Sequence, residues 1–244
     1  MGPRIMLFLF LLCLSSLVIG QTKTWDGGAG TTFFGDAANW DPDGIPGVSD
    51  ELEIGFGNTV VVPPGTYTVR KIKLSGYDAV FTIQEGAQLT IANSSGTGFE
   101  ASGSFSQVIN RGELNISQSG FYGLQIYGVF TNDTAGVVTI TNAGDYGIVT
   151  GTNDTLYNHG TMMIDAPGNH GIYNTGTVQN YGTGEIQING SAAYGFRNGS
   201  NDYLHNYGNI TISGAVNFSL ENSGYATNYP GGHISISGGN EIGL

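Results

Sequence analysis

The chain has few charged residues and almost no cysteine. Only 11% of its 244 residues are Asp, Glu, Lys or Arg, whereas about 25% is usual for a soluble protein. The single cysteine, Cys13, lies in an apolar segment near the N-terminus, so the rest of the chain has neither disulfides nor thiolate metal ligands to stabilise it. The 41 glycines and the many Asn, Thr and Ser residues favour short strands joined by tight turns.

Basic residues are the scarcer charged type. The chain has 7 Lys and Arg residues against 19 Asp and Glu, which gives a formal net charge of −12. A surface of this sign repels nucleic acid and anionic lipid, so we exclude nucleic acid as a partner. The hydrophobic content of 39% is too high for a disordered chain, and it therefore predicts a buried core.

Residues 1–20 are typical of a secretory signal peptide. Arg4 supplies a positive charge, the apolar run 5–14 follows, and small or modest residues precede a cleavage point before Gln21. A membrane anchor is the alternative, but the apolar run is short and serines interrupt its far end. We therefore predict a secreted or cell-surface protein whose mature part does not insert into a membrane. Export without disulfides favours a bacterial source.

A repeat of about 24 residues runs through the chain from about residue 108. One column has the pattern apolar–x–apolar: Leu114 and Ile116, Val138 and Ile140, Met162 and Ile164, Ile186 and Ile188, Ile210 and Ile212, Ile234 and Ile236. A second column is mostly glycine: Gly123, Gly147, Gly171, Gly195, Ser219 and Gly243. Larger residues flank it, from Tyr122 and Leu124 in the first coil to Ile242 and Leu244 in the last. Because residues i and i+2 of a strand share a face, stacked coils build a continuous core from such columns.

These columns predict an all-β fold, a single-stranded right-handed parallel β-helix (β-solenoid) with about 24 residues per coil. A helical repeat is the alternative, but Gly and Asn recur throughout and the spacing i, i+3, i+4 is absent. The predicted solenoid spans 50–244, with less regular coils before residue 108. The aromatic segment 21–49 is predicted to cap its N-terminal end. The sequence stops in the middle of a coil, so we expect a fragment of a longer protein.

A third column consists of asparagines with alternating spacing. A shorter and a longer step follow each other in turn along Asn110, Asn132, Asn158, Asn180, Asn206 and Asn228. Two residues that precede the asparagine in one coil therefore follow it in the next coil. The larger repeating unit is a pair of coils. Stacked asparagines hydrogen-bond to one another and tolerate turn conformations. The column thus predicts a structural ladder at a turn rather than a sugar or metal site.

Four short motifs open the predicted mature chain: Trp25-Asp-Gly-Gly-Ala-Gly, Ala38-Asn-Trp40, Gly44-Ile-Pro46 and Asp50-Glu-Leu-Glu-Ile54. Together they resemble the opening of autotransporter-passenger-like β-helix proteins and of large secreted surface proteins of the Bacteroidetes type. This resemblance implies a right-handed β-helix on, or released from, a bacterial surface, where it serves in adhesion or as a display stalk. It brings no shared catalytic residues.

Groups that could perform catalysis are sparse on the outward strand positions. Asp165 and Glu185 are the candidates for a glycosidase carboxylate pair on adjacent coils, but among nineteen acidic residues two will come close by chance, so we do not predict a catalytic pair there. Beyond residue 86 the only basic side chains are Arg111 and Arg197, in different turns of the repeat, which argues against the proton-abstracting base of a lyase. We therefore predict no catalytic, cofactor-binding or metal-binding residues.

Histidines and two loops are the remaining candidates for metal binding. His170 replaces a tyrosine in a core column and is predicted to be packed or hydrogen-bonded there. His159 and His205 are predicted to occupy equivalent positions two coils apart, too far to share a metal ion. Loops 41–44 and 27–30 lack the further ligands that calcium motifs require.

The favoured function is that of a secreted or cell-surface structural or adhesive solenoid without catalytic activity, with host glycans, surface glycans or other envelope proteins as partners. A carbohydrate-active β-helix enzyme, with its active coils in a missing C-terminal part, is the alternative. A third hypothesis is glycan binding through exposed Tyr127, Tyr203 and Tyr229. The sequons Asn132-Asp-Thr134 and Asn209-Ile-Thr211 would carry sugar only in a eukaryotic host.

Overall fold

The computed structural model describes residues 20–238 and the backbone of residues 241–243. This part of the chain folds as a parallel β-solenoid in which each coil contributes strands to three faces. The predicted fold class and the period of the stacked coils are confirmed, while the right-handed sense stays a prediction. The predicted signal peptide lies outside the described residues up to Ile19. Within the described part, no helix is long and apolar enough to span a membrane.

The strands of each face lie one above another and pair in parallel. The first face contains β1 (Thr22–Trp25), β3 (Glu51–Ile54), β6 (Lys71–Leu74), the start of β9 (Phe99–Asn110), the start of β11 (Leu124–Asn132), β13 (Ile148–Thr150), β16 (His170–Asn174), β19 (Tyr194–Asn198), β22 (Phe218–Asn222) and β25 (Glu241–Gly243). The second face contains β4 (Thr59–Val62), β7 (Val80–Ile83), the ends of β9 and β11, β14 (Thr155–Asn158), β17 (Thr177–Asn180), β20 (Tyr203–Asn206) and β23 (Tyr225–Asn228). The third face contains β5 (Gly65–Val69), β8 (Ala87–Ala92), β10 (Glu113–Ser117), β12 (Val137–Thr141), β15 (Thr161–Asp165), β18 (Glu185–Asn189), β21 (Asn209–Ser213) and β24 (His233–Ser237). Because β9 and β11 continue around a corner, the first two faces form one sheet.

The pairing register of the third face places like side chains over like. Ile116 lies between Ile91 and Ile140, and Ile164 lies between Ile140 and Ile188. All of these side chains are buried, and each stabilises the fold by about 1.5–3 kcal/mol relative to an exposed position. Ile91 and Ile116 are separated by slightly more than the regular period, yet they remain in register, because the extra length lies outside the paired strands.

Glycine is required in the column of the first face because adjacent coils approach closely there. A Cβ added to Gly171 would lie 2.2 Å from Cγ2 of Ile188 and 2.4 Å from the carbonyl oxygen of Gly195. The corresponding distances at Gly147 are 2.4 and 2.6 Å. Any side chain in this column therefore separates the coils or shifts their register.

Such a shift occurs at Ser219, where the glycine column carries a side chain. The register of β25 on β22 is irregular between Phe218 and Leu220, so that Ile242 pairs with Leu220. The predicted placement of Ile242 over Phe218 is therefore wrong, while Leu244 lies outside the described residues. At the preceding position of the column, a Cβ added to Gly195 would lie 2.5 Å from the carbonyl oxygen of Ser219, and the Cβ that Ser219 does carry is expected to crowd the following coil in the same way.

The aromatic segment ahead of the first coil covers one end of the core. β1 pairs in parallel with β3 and antiparallel with β2 (Trp40–Asp41), which follows a short 3-10 helix (Ala37–Asn39). Trp25, Phe34 and Trp40 are buried and pack edge to face, with ring centroids 5.0 and 5.4 Å apart. The backbone N–H of Phe34 donates to a carbonyl of β4. Strand edges that would be open to other chains are thereby paired, while the predicted domain boundaries stay predictions.

We predict that Gly171→Ala destabilises the solenoid, because its Cβ forces apart two coils that are in contact. The expected loss in unfolding free energy is about 1–3 kcal/mol. The control is Gly182→Ala in an exposed turn, where the nearest atom to an added Cβ is 3.9 Å away and a change below about 0.5 kcal/mol is expected. Urea unfolding followed by circular dichroism measures both. Equal unfolding free energies for the two variants would contradict the close-approach argument.

Candidate functional site

The asparagine column forms a buried hydrogen-bonded ladder, as the spacing predicted. In each step the Nδ2 group of one asparagine donates to Oδ1 of the asparagine in the next coil, at 2.8, 2.9, 2.8, 2.9 and 2.7 Å. The amide also donates to backbone carbonyls of the adjoining turns, as Asn158 does to Glu185 at 3.2 Å. The first five asparagines are fully buried. This column therefore holds the coils in register.

A second ladder runs along the first face and was missed by the sequence analysis. It consists of Thr150, Asn174, Asn198 and Asn222. The hydroxyl of Thr150 donates to Oδ1 of Asn174 at 2.7 Å, and the following two steps measure 2.6 and 2.7 Å. The regular spacing of its three asparagines, which equals the period of the repeat, is the signal that could have revealed it.

The two ladders lie immediately before two corners of the coil. The first corner joins the first and second faces, and the second corner joins the second and third faces. From β13 onward each coil has one two-residue turn and one four-residue turn, and the two exchange corners in successive coils. The first-corner turns are 151–154, 175–176, 199–202 and 223–224, and the second-corner turns are 159–160, 181–184, 207–208 and 229–232. The predicted movement of two residues across the asparagine is thereby confirmed.

At both corners, protruding four-residue turns two coils apart enclose a groove over the short turn between them. The first groove lies between turns 151–154 and 199–202 and has a volume of about 580 Å³. A groove of about 570 Å³ lies at the second corner, lined by Tyr181 and Tyr207. A smaller one of about 350 Å³ lies nearer the N-terminus at the same corner, beside Arg111.

The two turns that bound the first groove share one local design. They read Gly151-Thr-Asn-Asp154 and Gly199-Ser-Asn-Asp202, with the asparagine at φ of 68° in the first and 67° in the second. Asparagine tolerates this left-handed conformation better than most residues. Burial raises the pKa of Asp154 and of Asp202, because it disfavours the ionised carboxylate. The groove is lined by hydroxyl and amide groups together with Tyr173 and Tyr203.

His170 lies inside an aromatic column on the first face, as predicted for a packed histidine. Its ring centroid is 4.7 Å from that of Tyr146 and 4.6 Å from that of Tyr194, and the residue is buried. Neither ring nitrogen makes a hydrogen bond of normal geometry within the described residues. Burial lowers the pKa of His170, and the charge of Arg197 acts in the same direction, while the adjacent backbone of Asn169 opposes the shift in part.

His159 and His205 do not occupy equivalent positions, so that prediction is wrong. His159 follows its ladder asparagine and stacks on Tyr181 in the next coil at 3.9 Å. His205 precedes its ladder asparagine and pairs with Gln179 within the second face. The two-residue difference between alternate coils explains the error, because counting residues from one histidine to the other ignores which side of the asparagine each lies on.

The acidic pair considered for glycosidase chemistry is not brought together. Asp165 pairs with Asn189, whose Nδ2 donates to the carboxylate at 2.7 Å, while Glu185 pairs with Thr161. The two acids lie four strand positions apart, roughly 13 Å at the usual rise per residue. Paired glycosidase carboxylates lie about 5–9.5 Å apart. Asp165 and Glu185, considered as a candidate pair, are therefore not close enough to act as glycosidase carboxylates.

The two arginines of the regular coils are both engaged in ion pairs between adjacent coils. Arg111 Nε lies 3.1 Å from Oδ2 of Asp133, and Arg197 Nε lies 2.7 Å from Oε2 of Glu221. A backbone hydrogen bond from Thr134, and then Arg111, lowers the pKa of Asp133. These guanidinium groups bind neighbouring coils to each other, and neither lies at a shared centre with Asp165.

The tyrosines predicted to bind glycans are not collected at one site. Tyr127 and Tyr203 lie at the first corner with 39% and 44% of their surfaces exposed, but three coils apart. Tyr229 lies at the second corner, half-buried and stacked on Tyr207 at 4.1 Å. Of the three, Tyr203 lines the first groove.

The remaining candidates from the sequence are loop 41–44 and the two sequon asparagines. In loop 41–44, the ammonium of Lys23 donates to the carbonyl oxygens of Pro42 and Asp43 at 2.7 and 3.5 Å. Among the described residues there is no group of three or more His, Cys, Asp or Glu side chains placed to hold a metal ion. The sequon asparagine Asn132 is buried in its ladder, whereas Asn209 is exposed.

Comparison with known proteins gives one partial likeness. Over 125 residues the sequence is 30% identical to a protein of Dictyostelium discoideum that is named as a subunit of the discoidin-inducing complex. The match covers 49% of this chain but 19% of the relative, so the chain spans about a fifth of the relative's length. No family model and no solved structure matches, and the autotransporter-like resemblance stays a prediction.

We predict that Asn158→Ala breaks the ladder and destabilises the protein. The change removes the Oδ1 acceptor of Asn132, whose Nδ2 keeps its bonds to the carbonyls of Gly136 and Thr161, and it leaves the buried Oδ1 of Asn180 without its donor. The expected total cost is about 2–4 kcal/mol in unfolding free energy. The control is Asn228→Ala at an exposed end of the same ladder, where the buried group affected is the amide of Asn206, which keeps two backbone carbonyls; the expected loss is about 1 kcal/mol or less. Chemical denaturation measures both, and an equal loss in the two variants would show that the ladder does not hold the coils.

We also predict that His170 makes stability depend on pH. Its pKa is lower in the folded than in the unfolded chain, so its contribution is complete above the unfolded pKa of about 6.5. As the pH falls from about 6.5 through the lower pKa of His170 in the folded chain, that contribution is lost, because the unfolded chain binds the proton more readily than the folded chain. The test is the urea midpoint across this range for the wild type and for His170→Tyr, which restores the residue of the neighbouring coils.

Both proteins contain the other titratable groups near this column, among them Asp145. The difference between their pH profiles therefore reports the titration of His170. The wild type is expected to lose more stability on acidification than His170→Tyr. Parallel pH profiles for the two proteins would contradict the assignment.

Proposed function

We propose that the chain is a secreted or surface-displayed solenoid without catalytic activity that acts as a stiff structural or adhesive element. The observation that carries this proposal is the pair of buried amide ladders, which tie every coil of the regular region to the next. A stack held in this way transmits force along its axis and presents its turns at fixed intervals. Both properties suit a spacer or an adhesive display.

The distribution of charge supports the same role. The ion pairs Arg70–Glu51, Lys71–Glu100, Arg111–Asp133 and Arg197–Glu221 each link one coil to its neighbour. Charged side chains in these pairs stabilise the stack modestly, since pairs of this exposure contribute about 0–1 kcal/mol each. The arginines that a lyase would need as a base or substrate clamp are used between coils instead.

The partial likeness to a component of a complex supports assembly with other proteins. The Dictyostelium protein is named as part of a complex, and we extend to this chain the proposal that it is incorporated into a larger extracellular assembly. Surface glycans and other envelope proteins are the proposed partners. A bacterial origin remains part of the prediction made from the sequence.

We predict that the epitope-tagged chain, expressed in its source organism, is recovered from the cell surface or the medium in a complex larger than its own 25.6 kDa. Fractionation followed by size-exclusion chromatography measures both properties. Recovery as an intracellular monomer would contradict the proposal. Purified protein is also expected to release no reducing ends or unsaturated sugars from a polysaccharide panel, and turnover of any of them above a heat-denatured control would contradict the non-catalytic role.

A further inference from the structure

We propose that the first groove binds a neutral oligosaccharide. This inference rests on the proposed adhesive role and names a ligand class for it. The groove lies at an exposed corner of the solenoid, bounded by turns 151–154 and 199–202 and by turn 175–176 between them. Its walls are two coil spacings apart, at about 4.8 Å for each spacing. It is therefore open enough for a chain-like ligand to enter from solvent.

The groove combines the two kinds of surface that a sugar ring requires. A pyranose has a face of C–H groups, which packs on an aromatic ring, and a rim of hydroxyls, which needs donors and acceptors. The rings come from Tyr173 and Tyr203, and the polar groups come from side chains of both walls: Thr152, Asn153, Ser200 and Asn201. At the base, the hydroxyl of Thr175 donates to the carbonyl of Thr150 and remains available as an acceptor. Ligand sites in proteins typically combine an apolar surface with a few such polar groups.

Tyr203 is the residue best placed to stack on the ligand. In its column it is covered on one side by Tyr225, at a centroid distance of 5.2 Å and an interplanar angle of 15°, and His205 lies beside it in the same strand at 5.9 Å. The residue paired with Tyr203 in the preceding coil is Thr177, which has no ring, and both residues line the groove. The side of the Tyr203 ring that faces the preceding coil therefore has no aromatic cover there, and the residue is 44% exposed.

The groove is held in shape before any ligand arrives. The N–H of Asp154 donates to the carbonyl of Gly151 at 3.2 Å, and the N–H of Asp202 donates to that of Gly199 at 3.4 Å. The buried ladder of Asn174 and Asn198 lies directly before the turns of this corner. A preformed site loses less conformational entropy on binding than a flexible loop does.

Charge selects a neutral ligand over an acidic one. Asp202 is the lining residue with a charged side chain, and the whole chain carries a net charge of −12. The nearby cation Arg197 lies 5.3 Å from the centre of the Tyr173 ring and is paired with Glu221. Uronate polymers and sulfated glycans are therefore disfavoured.

Isothermal titration of the purified protein with four neutral hexasaccharides tests this proposal. The probes are cellohexaose, laminarihexaose, mannohexaose and the hexamer of N-acetylglucosamine, with hexagalacturonate as the anionic control. We expect at least one neutral probe to bind and hexagalacturonate not to bind. Tyr203→Ala is expected to weaken binding at least about tenfold, whereas Tyr203→Phe keeps the ring and should stay within about threefold.

The matched control is Tyr77→Ala, which removes an exposed tyrosine at the same corner, between β6 and β7, several coils before the groove. It should bind like the wild type, and circular dichroism checks that all variants keep the fold. No binding of any neutral probe at millimolar concentration would overturn the proposal, as would equal losses in Tyr203→Ala and Tyr77→Ala. If the probes fail while the protein is still recovered in a large surface complex, the groove assignment is wrong and the adhesive role stands.

Discussion

The structure depends on buried amide groups that find their partners in the next coil. An asparagine side chain has two N–H donors and a carbonyl acceptor, and inside this solenoid the coil above and the adjoining turns are where its partners lie. A slip of one residue would leave those groups buried and unpaired, at a cost of about 1–3 kcal/mol for each. A slip of one residue would also turn the buried isoleucines toward solvent, and the coils before Asn110 keep their register by this core alone. From Asn110 onward the core and the ladders specify the same register.

This constraint leaves the turns free to vary. A coil can lengthen one turn if it shortens the other, because the strands between the ladders remain in register. The alternation of two- and four-residue turns at the two corners is the outcome. Since long turns are separated by short ones, each corner presents recesses rather than an unbroken ridge. The recesses thus arise from the same two-coil unit that preserves the period, and the base of the first groove is tied to a ladder residue by the hydrogen bonds of Thr175 to Thr150.

Much of the stack was predictable because its columns repeat at a constant spacing. The third-face register of Ile116 and Ile140, and the ladder from Asn110 onward, follow from counting residues. The second ladder was missed because it begins with Thr150 and contains fewer asparagines. The equivalence of the two histidines failed where spacing changed within a coil, and the register of Ile242 failed at a side chain in the glycine column. The first groove was not predictable, since its two walls come from turns two coils apart and its shape depends on how far each turn protrudes.

The ladders also determine what sequence similarity means for such a chain. Glycine where the coils touch, apolar residues in the core and asparagine before the corners serve the stacking in this chain, so two solenoids can share such residues and bind unrelated ligands. An identity of 30% over 125 residues is therefore better evidence that two chains stack their coils alike than that they bind the same partner. Differences in ligand between two such chains must lie in positions that the ladder does not constrain. In this protein those positions are the four-residue turns and the outward aromatic residues beside them, which is why the proposed sugar binding is argued from Tyr203 and the surrounding turns rather than from the repeat.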